Sequence, residues 1–366
     1  MSKKERLAGL FSASFLWLNA IAITGSAAAA SGFDSPNKTN VAYSHTALAA
    51  TGITPICEDF DASPARTVVR VRHRPTIALA LGGGGVRGAA HIGVLRVLKR
   101  EGIPIDYIAG SSMGAVVGGM YAAGVPLDEL ERMFQDRSLF KAFTPVPVSI
   151  KLSELPIRAI IGTAKRAVQI KNGVPGLYSK NNLMTFVSKH LPSERQNVEE
   201  TEIPFTAVAT NLIDGKAYAF EKGSLGRAVQ ASSAIPLYVK PIAYNNMLLV
   251  DGALRANVPT GQARHSGADI VISVNVNENL QPFGNQRFNS IAQLTNRAAS
   301  IMLDEVDAQH ASLADLEIRP EIVSMPVYSR SVRDADRAIA AGEEAAERAI
   351  PQIRTLINGR LAMTEQ

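Results

Sequence analysis

A strand, a glycine turn and a helix are written twice in succession between residues 76 and 126, and this constrains the fold more than any other feature of the chain. Thr76-Ile77-Ala78-Leu79-Ala80-Leu81 is an apolar run of buried-strand length, ended by Gly82-Gly83-Gly84-Gly85. Arg87 to Arg100 follows as a helix with apolar residues at Ile92, Val94, Leu95, Val97 and Leu98, stopped by Gly102 and Pro104. Ile105 to Ala109 reads as a second strand, Gly110 to Gly114 as a tight turn, and Ala115 to Ala123 as a small-residue helix closed by Gly124 and Pro126. Such alternation predicts an α/β layer in which helices cover a parallel sheet.

The flanks read differently. Basic residues at the start, an apolar run from Leu7 to Thr24 and the small-residue stretch Ser26 to Ser31 predict a secretory signal peptide over 1–30, with cleavage after Ala28 or Ala30. An uncleaved anchor helix is the alternative, although the apolar run is near the lower limit for spanning a bilayer. Cleavage removes Lys3, Lys4 and Arg6 against Glu5, so the formal charge falls from +5 to +3, and the protein is expected to be exported and either periplasmic, secreted or peripheral to the cell envelope. Residues 31–75 carry no sustained period and read as a linker or loose lead-in. The ordered α/β domain is expected over 76–280, with a mainly helical extension over 281–366 that includes a helix from Arg333 to Ile357 kinked at Pro351.

Two glycine motifs carry chemistry. Gly83-x-Gly85-x-x-Gly88 satisfies the dinucleotide fingerprint, but Ala109-Gly110 occupy the end of the next strand, where an acidic ribose ligand belongs, and the acid Asp106 sits at that strand's start. Gly110-Ser111-Ser112-Met113-Gly114 matches G-x-S-x-G, which presents a serine on a strained strand-to-helix turn. Ser112 is therefore the candidate nucleophile.

A serine needs a base. None of His45, His73, His91, His190, His265 and His310 clearly offers one; His91 reads as a packed helical histidine, and His265 stays in reserve because of its spacing from Asp251. Of two Asp-Gly pairs, Asp214-Gly215 is explained by a hairpin between apolar strands. Asp251-Gly252 instead ends the strand Met247 to Val250 and faces a loop, where partial desolvation raises a carboxylate's basicity.

Gly-Gly-Gly-Val-Arg-Gly at 83–88, Gly-Ser-Ser-Met-Gly at 110–114, Ala-Ser-Ser-Ala-Ile-Pro at 231–236 and Asp-Gly-Ala at 251–253 together resemble the patatin-like phospholipases, particularly their bacterial members. The resemblance spans about 76–280. It implies a three-layer α/β/α fold with a mainly parallel central sheet, a Ser112–Asp251 dyad without histidine, and an oxyanion hole from the backbone amides of Gly83, Gly84 and Gly85. Ala253 departs from the family's more frequent Asp-Gly-Gly. The implied activity is a serine lipid acyl hydrolase cleaving carboxylic esters of membrane lipids. The alternatives are a non-catalytic or regulatory lipid-binding member and, from another class, a dinucleotide-binding protein.

Arg87 is placed in the substrate-binding set as a cation for a phosphate, with fixing of the glycine loop as its other reading. No cofactor is expected, and neither a His-Glu-x-x-His zinc motif nor an Asp-rich calcium loop is present. The single Cys57 excludes an internal disulfide, and Lys and Arg lack the dense, aromatic-interleaved blocks of a nucleic-acid binder. Positive charge gathers in residues 141–180, where Lys141, Lys151, Arg158, Lys165, Arg166, Lys171 and Lys180 face only Glu154 and apolar residues lie between them. That segment is either a solvated surface loop or a flap that contacts an anionic membrane surface beside the active site.

Overall fold

β1 (Ile77–Leu81) lies inside the sheet because it is apolar on both faces. Ile77, Leu79 and Leu81 enter one core and Ala78 and Ala80 a second, and all five are buried. The computed structural model describes residues 74–143, 182–236, 239–278, 280, 291–323, 325–327 and 329–364. The signal-peptide expectation, nearly all of the 31–75 lead-in, and the basic segment from 144 onward to 181 lie outside these residues.

The glycine turn after β1 tightens into a 3-10 turn at Gly85–Ala89, and the α-helix proper, α1 (Ala90–Arg100), begins after it. β2 (Tyr107–Ser111) and α2 (Met113–Ala122) repeat the unit. α3 (Leu127–Gln135), α4 (Ser138–Phe143) and α5 (Leu183–His190) precede β3 (Phe205–Asn211), β4 (Ala217–Phe220) and α6 (Leu225–Ser232). β5 (Ile242–Tyr244), β6 (Met247–Asp251), α7 (Ala253–Ala256), α8 (Thr260–His265) and β7 (Ile270–Val274) follow. The chain closes with α9 (Ile291–Ala311), β8 (Leu316–Ile318) and α10 (Val332–Thr364).

The strand order is β5-β6-β3-β2-β1-β7-β8, with β4 also paired to β3. β3, β2, β1, β7 and β8 run parallel, and β4, β5 and β6 supply the antiparallel part. The chain moves outward from β1 through β2 to β3, then returns to the other side of β1 as β7 and β8. The loops after β1 and β2 therefore emerge at the carboxyl ends of adjacent parallel strands, beside this reversal, where open α/β sheets place their ligands.

The two sheet faces are unequal, and the sequence sets this. On one face the large side chains of β1, β2 and β7 meet α1, α2, α6 and α10 in the main core. On the other, Ala78, Ala80 and Ala109 are small enough for α8 to approach through Ala263. Helices on both faces make three layers.

Other boundaries also differ from the sequence expectation, and α10 runs past Ile357 to Thr364 with Pro351 inside it. β2 continues through Gly110 and Ser111, because both remain in register with Ala207 and Val208 of β3, so the turn narrows to Ser112. The described residues on the two sides of position 280 belong to one compact unit: β8 extends the sheet beside β7, and α10 packs along α1. That crossing is close because Gly93 and Gly342 lack side chains. A Cβ on either would sit 2.1 Å from a carbonyl of the other helix, Ile339 O or Ala90 O. Among the described residues, no helix is long and apolar enough to cross a membrane.

Candidate active site

Ser112 is the one residue between β2 and α2, and it has φ 50 and ψ −120. Positive φ is costly for a residue with a Cβ, and such strain persists only where the surroundings enforce it. Here the enforcement is close packing: a Cβ on Gly114 would lie 2.0 Å from Leu81 O, and one on Gly110 would lie 2.6 Å from Ala115 Cα. The glycines of the motif let α2 seat against the strands and turn the serine away from the sheet.

Asp251 arrives from a different part of the chain on a shared template. β2 pairs with Phe205–Val208 of β3, and β6 pairs with the next stretch, Ala209–Asn211. Both use the same edge of β3, since Ile108 N donates to Pro204 O and Leu212 N donates to Leu248 O, even-numbered groups that point one way. The two strands approach head to head and deliver Ser112 and Asp251 to one place. The Ser112 hydroxyl donates to Asp251 Oδ2 at 2.7 Å, and the Ala253 amide donates to Oδ1 at 2.9 Å. Ala253 thus supplies the contact from its backbone, and the departure from Asp-Gly-Gly leaves the aspartate held.

Ser112 is 8% exposed and Asp251 4%. Burial pushes the Asp251 carboxyl up to about 6, against the hydrogen bonds from Ala253 and Ser112, which favour its charged form. No histidine intervenes between the hydroxyl and the carboxylate. His91 is buried with Nε2 donating to Gly82 O at 2.7 Å, and burial lowers it to about 4, so it is neutral and committed to packing. His265, the reserve base, is an exposed residue at the end of α8.

The glycine loop lies against the dyad, and one of its three expected amides is already used. Gly83 N donates to Asn257 O at 3.1 Å, so Gly83 is corrected from an oxyanion donor to a fixed point of the loop. Among the described residues, the amides of Gly84 and Gly85 have no protein partner, which leaves these two able to receive a developing charge. Gly85 has φ +59 and would bring a Cβ within 2.1 Å of Val327 O, so glycine is required there.

Arg87 is likewise corrected. Its side chain is buried, Nε donates to Met325 O at 2.8 Å, and Nη2 pairs with Glu278 at 3.1 Å. A guanidinium engaged in this way anchors the 3-10 turn to the C-terminal part of the chain and is not presented to a substrate phosphate. Asp106 is also occupied, accepting from Arg74 and from Ile77 N at the opposite end of the strands, and Ser111 stands where a dinucleotide site needs its acid.

The sequence motif at 231–236 has a role that its resemblance alone did not reveal. Ser232 Oγ accepts from Ser112 N at 3.0 Å and donates to Val208 O, while Ser233 Oγ donates to Ser112 O at 3.2 Å. Asp251 N donates to Ala234 O and Gly252 N to Ser232 O. The segment clamps the elbow and the aspartate strand at once. Among the described residues, no cluster of three or more His, Cys, Asp or Glu side chains is placed to hold a metal ion.

A family model described as patatin-like phospholipase matches residues 79–264, which takes in both glycine motifs, the serine clamp and Asp251. An uncharacterized NTE family protein of Mycobacterium bovis is 36% identical over 215 residues, covering 59% of this chain and 53% of the relative. Patatin-like phospholipase domain-containing protein 6 of Homo sapiens is 30% identical over 212 residues, covering 57% of this chain and 14% of the relative. This chain therefore spans about half the length of the mycobacterial relative and a small part of the human one. Solved structures similar to it include VipD of Legionella pneumophila, at TM-score 0.42 and 14% identity over 77% of this chain and 67% of that one. Human GIVD cytosolic phospholipase A2 gives TM-score 0.42 and 10% identity over 79% of this chain and 63% of that one.

Proposed function

The chain belongs to the patatin-like phospholipase family, and from that premise we propose that it is a serine lipid acyl hydrolase acting through a Ser112–Asp251 dyad. The observation that carries this reading is the 2.7 Å hydrogen bond from a serine on a strained elbow to a buried carboxylate of raised basicity. Asp251 Oδ2 takes the Ser112 proton as Oγ bonds to an ester carbonyl carbon. Charge developing on the carbonyl oxygen falls to the amides of Gly84 and Gly85, which have no partner among the described residues. As the tetrahedral species collapses, the alkoxide leaves with the proton from Asp251, giving an alcohol and an acyl-Ser112. Water then loses a proton to Asp251, its oxygen bonds to the acyl carbon, and Ser112 departs with that proton, releasing the fatty acid.

The same reading extends to two segments that lie largely outside the described residues. The N-terminal segment is proposed to direct export, and the basic, apolar-interleaved segment 141–180 to bring the site onto an anionic lipid surface. The test of the activity is a panel of phospholipid, lysophospholipid and simple acyl esters, with fatty acid release measured for the unmodified protein and for Ser112→Ala. Release from at least one lipid class that disappears in Ser112→Ala supports the reading. Release that survives in the variant rejects it.

A further inference from the structure

Asp307 lies on α9, beyond the residues matched by the family model, and is buried. Four nitrogen donors converge on it. Asn257 Nδ2 lies 3.2 Å from both oxygens, Val258 N 3.2 Å from Oδ1, and Asn275 Nδ2 and Asn277 Nδ2 3.3 and 2.7 Å from Oδ2. The important member of this set is Asn257, itself buried, because its other groups reach the site. Its carbonyl accepts from Gly83 N at 3.1 Å, and its side-chain Oδ1 lies 2.8 Å from where a Cβ of Gly83 would be. The same Cβ position is 3.0 Å from Ser112 Cβ, so Gly83 is held between Asn257 and the nucleophile.

An ionised carboxylate only accepts hydrogen bonds, so it orients every facing amide with nitrogen inward. For Asn257 this turns Nδ2 toward Asp307 and Oδ1 toward the glycine loop. We propose that Asp307 is a positioning residue for the hydrolytic reaction, acting through Asn257 to fix Gly83 and thereby aim the Gly84 and Gly85 amides at the oxyanion. The proposal rests on the reading of Ser112 as nucleophile and of this loop as its oxyanion site.

The experiment uses the full chain and counts active sites by complete labelling with a fluorophosphonate, so that misfolded protein is excluded from kcat. In Asp307→Asn the new amide donor faces donors, and Asn257 is released. Misplacement of a catalytic group by about 1 Å costs roughly a hundredfold, so kcat per site is expected to fall about ten- to a hundredfold with KM changed less than about threefold. Asn257→Ala removes the link itself and carries the same expectation, which keeps the test decisive if the Asp307 variant does not fold. The double variant should be no slower than the slower single one, because both act through one path.

A lowered melting temperature with kcat per site within about twofold of the unmodified protein would overturn the proposal, leaving Asp307 a purely structural contact. So would a loss confined to KM, or losses that multiply in the double variant. Hydrolysis undiminished in Ser112→Ala would overturn the underlying functional reading and this proposal together, whereas Ser112-dependent hydrolysis with an unaffected Asp307→Asn rejects this proposal alone.

Discussion

Ser112 follows the residue of β2 that pairs with Val208, and Asp251 ends β6 opposite the next residue of β3, Ala209. The dyad is therefore set by strand register, with Ser112 leaving the end of β2 and Asp251 ending β6. A slip of one residue in β6 would turn the Asp251 side chain to the other face of the sheet. Catalytic groups supported this way hold their geometry more closely than groups carried on loops.

The environment of Asp251 gives a pH dependence. The base works only when ionised, and burial raises it to about 6, so kcat/KM should be level above that pH and fall as pH drops below it. Rates from pH 4 to pH 8 on a non-ionising ester check this.

Stability should show the opposite sign. A carboxyl whose pKa is higher in the folded than in the unfolded state adds stability at low pH that is lost as pH rises through the folded value. Asp251→Asn should accordingly stabilise the protein at pH 8 by about 3 kcal/mol, with the gain shrinking at pH 4.5. Denaturant melts of both proteins at the two pH values read this directly.

Base identity separates a dyad from a triad. Asp251→Asn is expected to lower kcat by roughly 10²–10⁴-fold, while His265→Ala stays within about twofold. Steady-state kinetics of the two variants decide it, and a greater loss in His265→Ala would restore the triad.

Arg87, engaged with Met325 O and Glu278, should affect all substrates alike. Arg87→Gln is expected to reduce activity and thermal stability through the loosened loop, yet leave the ratio of kcat/KM for a phospholipid over a neutral ester within about twofold. A selective loss on the phospholipid would return Arg87 to substrate binding.

Membrane contact by residues 141–180 is tested by sedimentation with anionic and neutral vesicles. Each Lys or Arg near an anionic surface contributes about 1 kcal/mol, so changing Lys151, Lys165, Arg166 and Lys171 to Gln should release most protein from anionic vesicles, as should raised salt. Equal binding to both vesicle types by both proteins would reject the contact.

What was legible in the sequence is what local pattern encodes. The two strand–glycine–helix units, the serine at the turn of the second and the Asp-Gly pair at a strand end each declare themselves within a few residues. The pairing of that serine with that aspartate is not local: it comes from parallel β2 and antiparallel β6 meeting head to head on one edge of β3. The supporting contacts are different in kind: Ser232 reaches Ser112 N across 120 residues, and Asn257 reaches Asp307 across 50, with nothing periodic to mark either. For the same reason the bond from Gly83 N to Asn257 O is not written in the motif whose resemblance implies a donor there, and Arg87 reads equally as a cation for a phosphate or as a fixing point of the loop until Glu278 and Met325 are placed beside it. The C-terminal part read as an addition because its single short strand, Leu316–Ile318, is apolar for too few residues to stand out.

The most direct test of the Ser112–Asp251 dyad is labelling with a fluorophosphonate probe followed by peptide mass mapping. An activated serine attacks such a probe readily and an ordinary one does not. The expected result is one adduct on Ser112, absent from Ser112→Ala and formed much more slowly in Asp251→Asn. An adduct on another residue, or Ser112 labelled at an undiminished rate in Asp251→Asn, would contradict it.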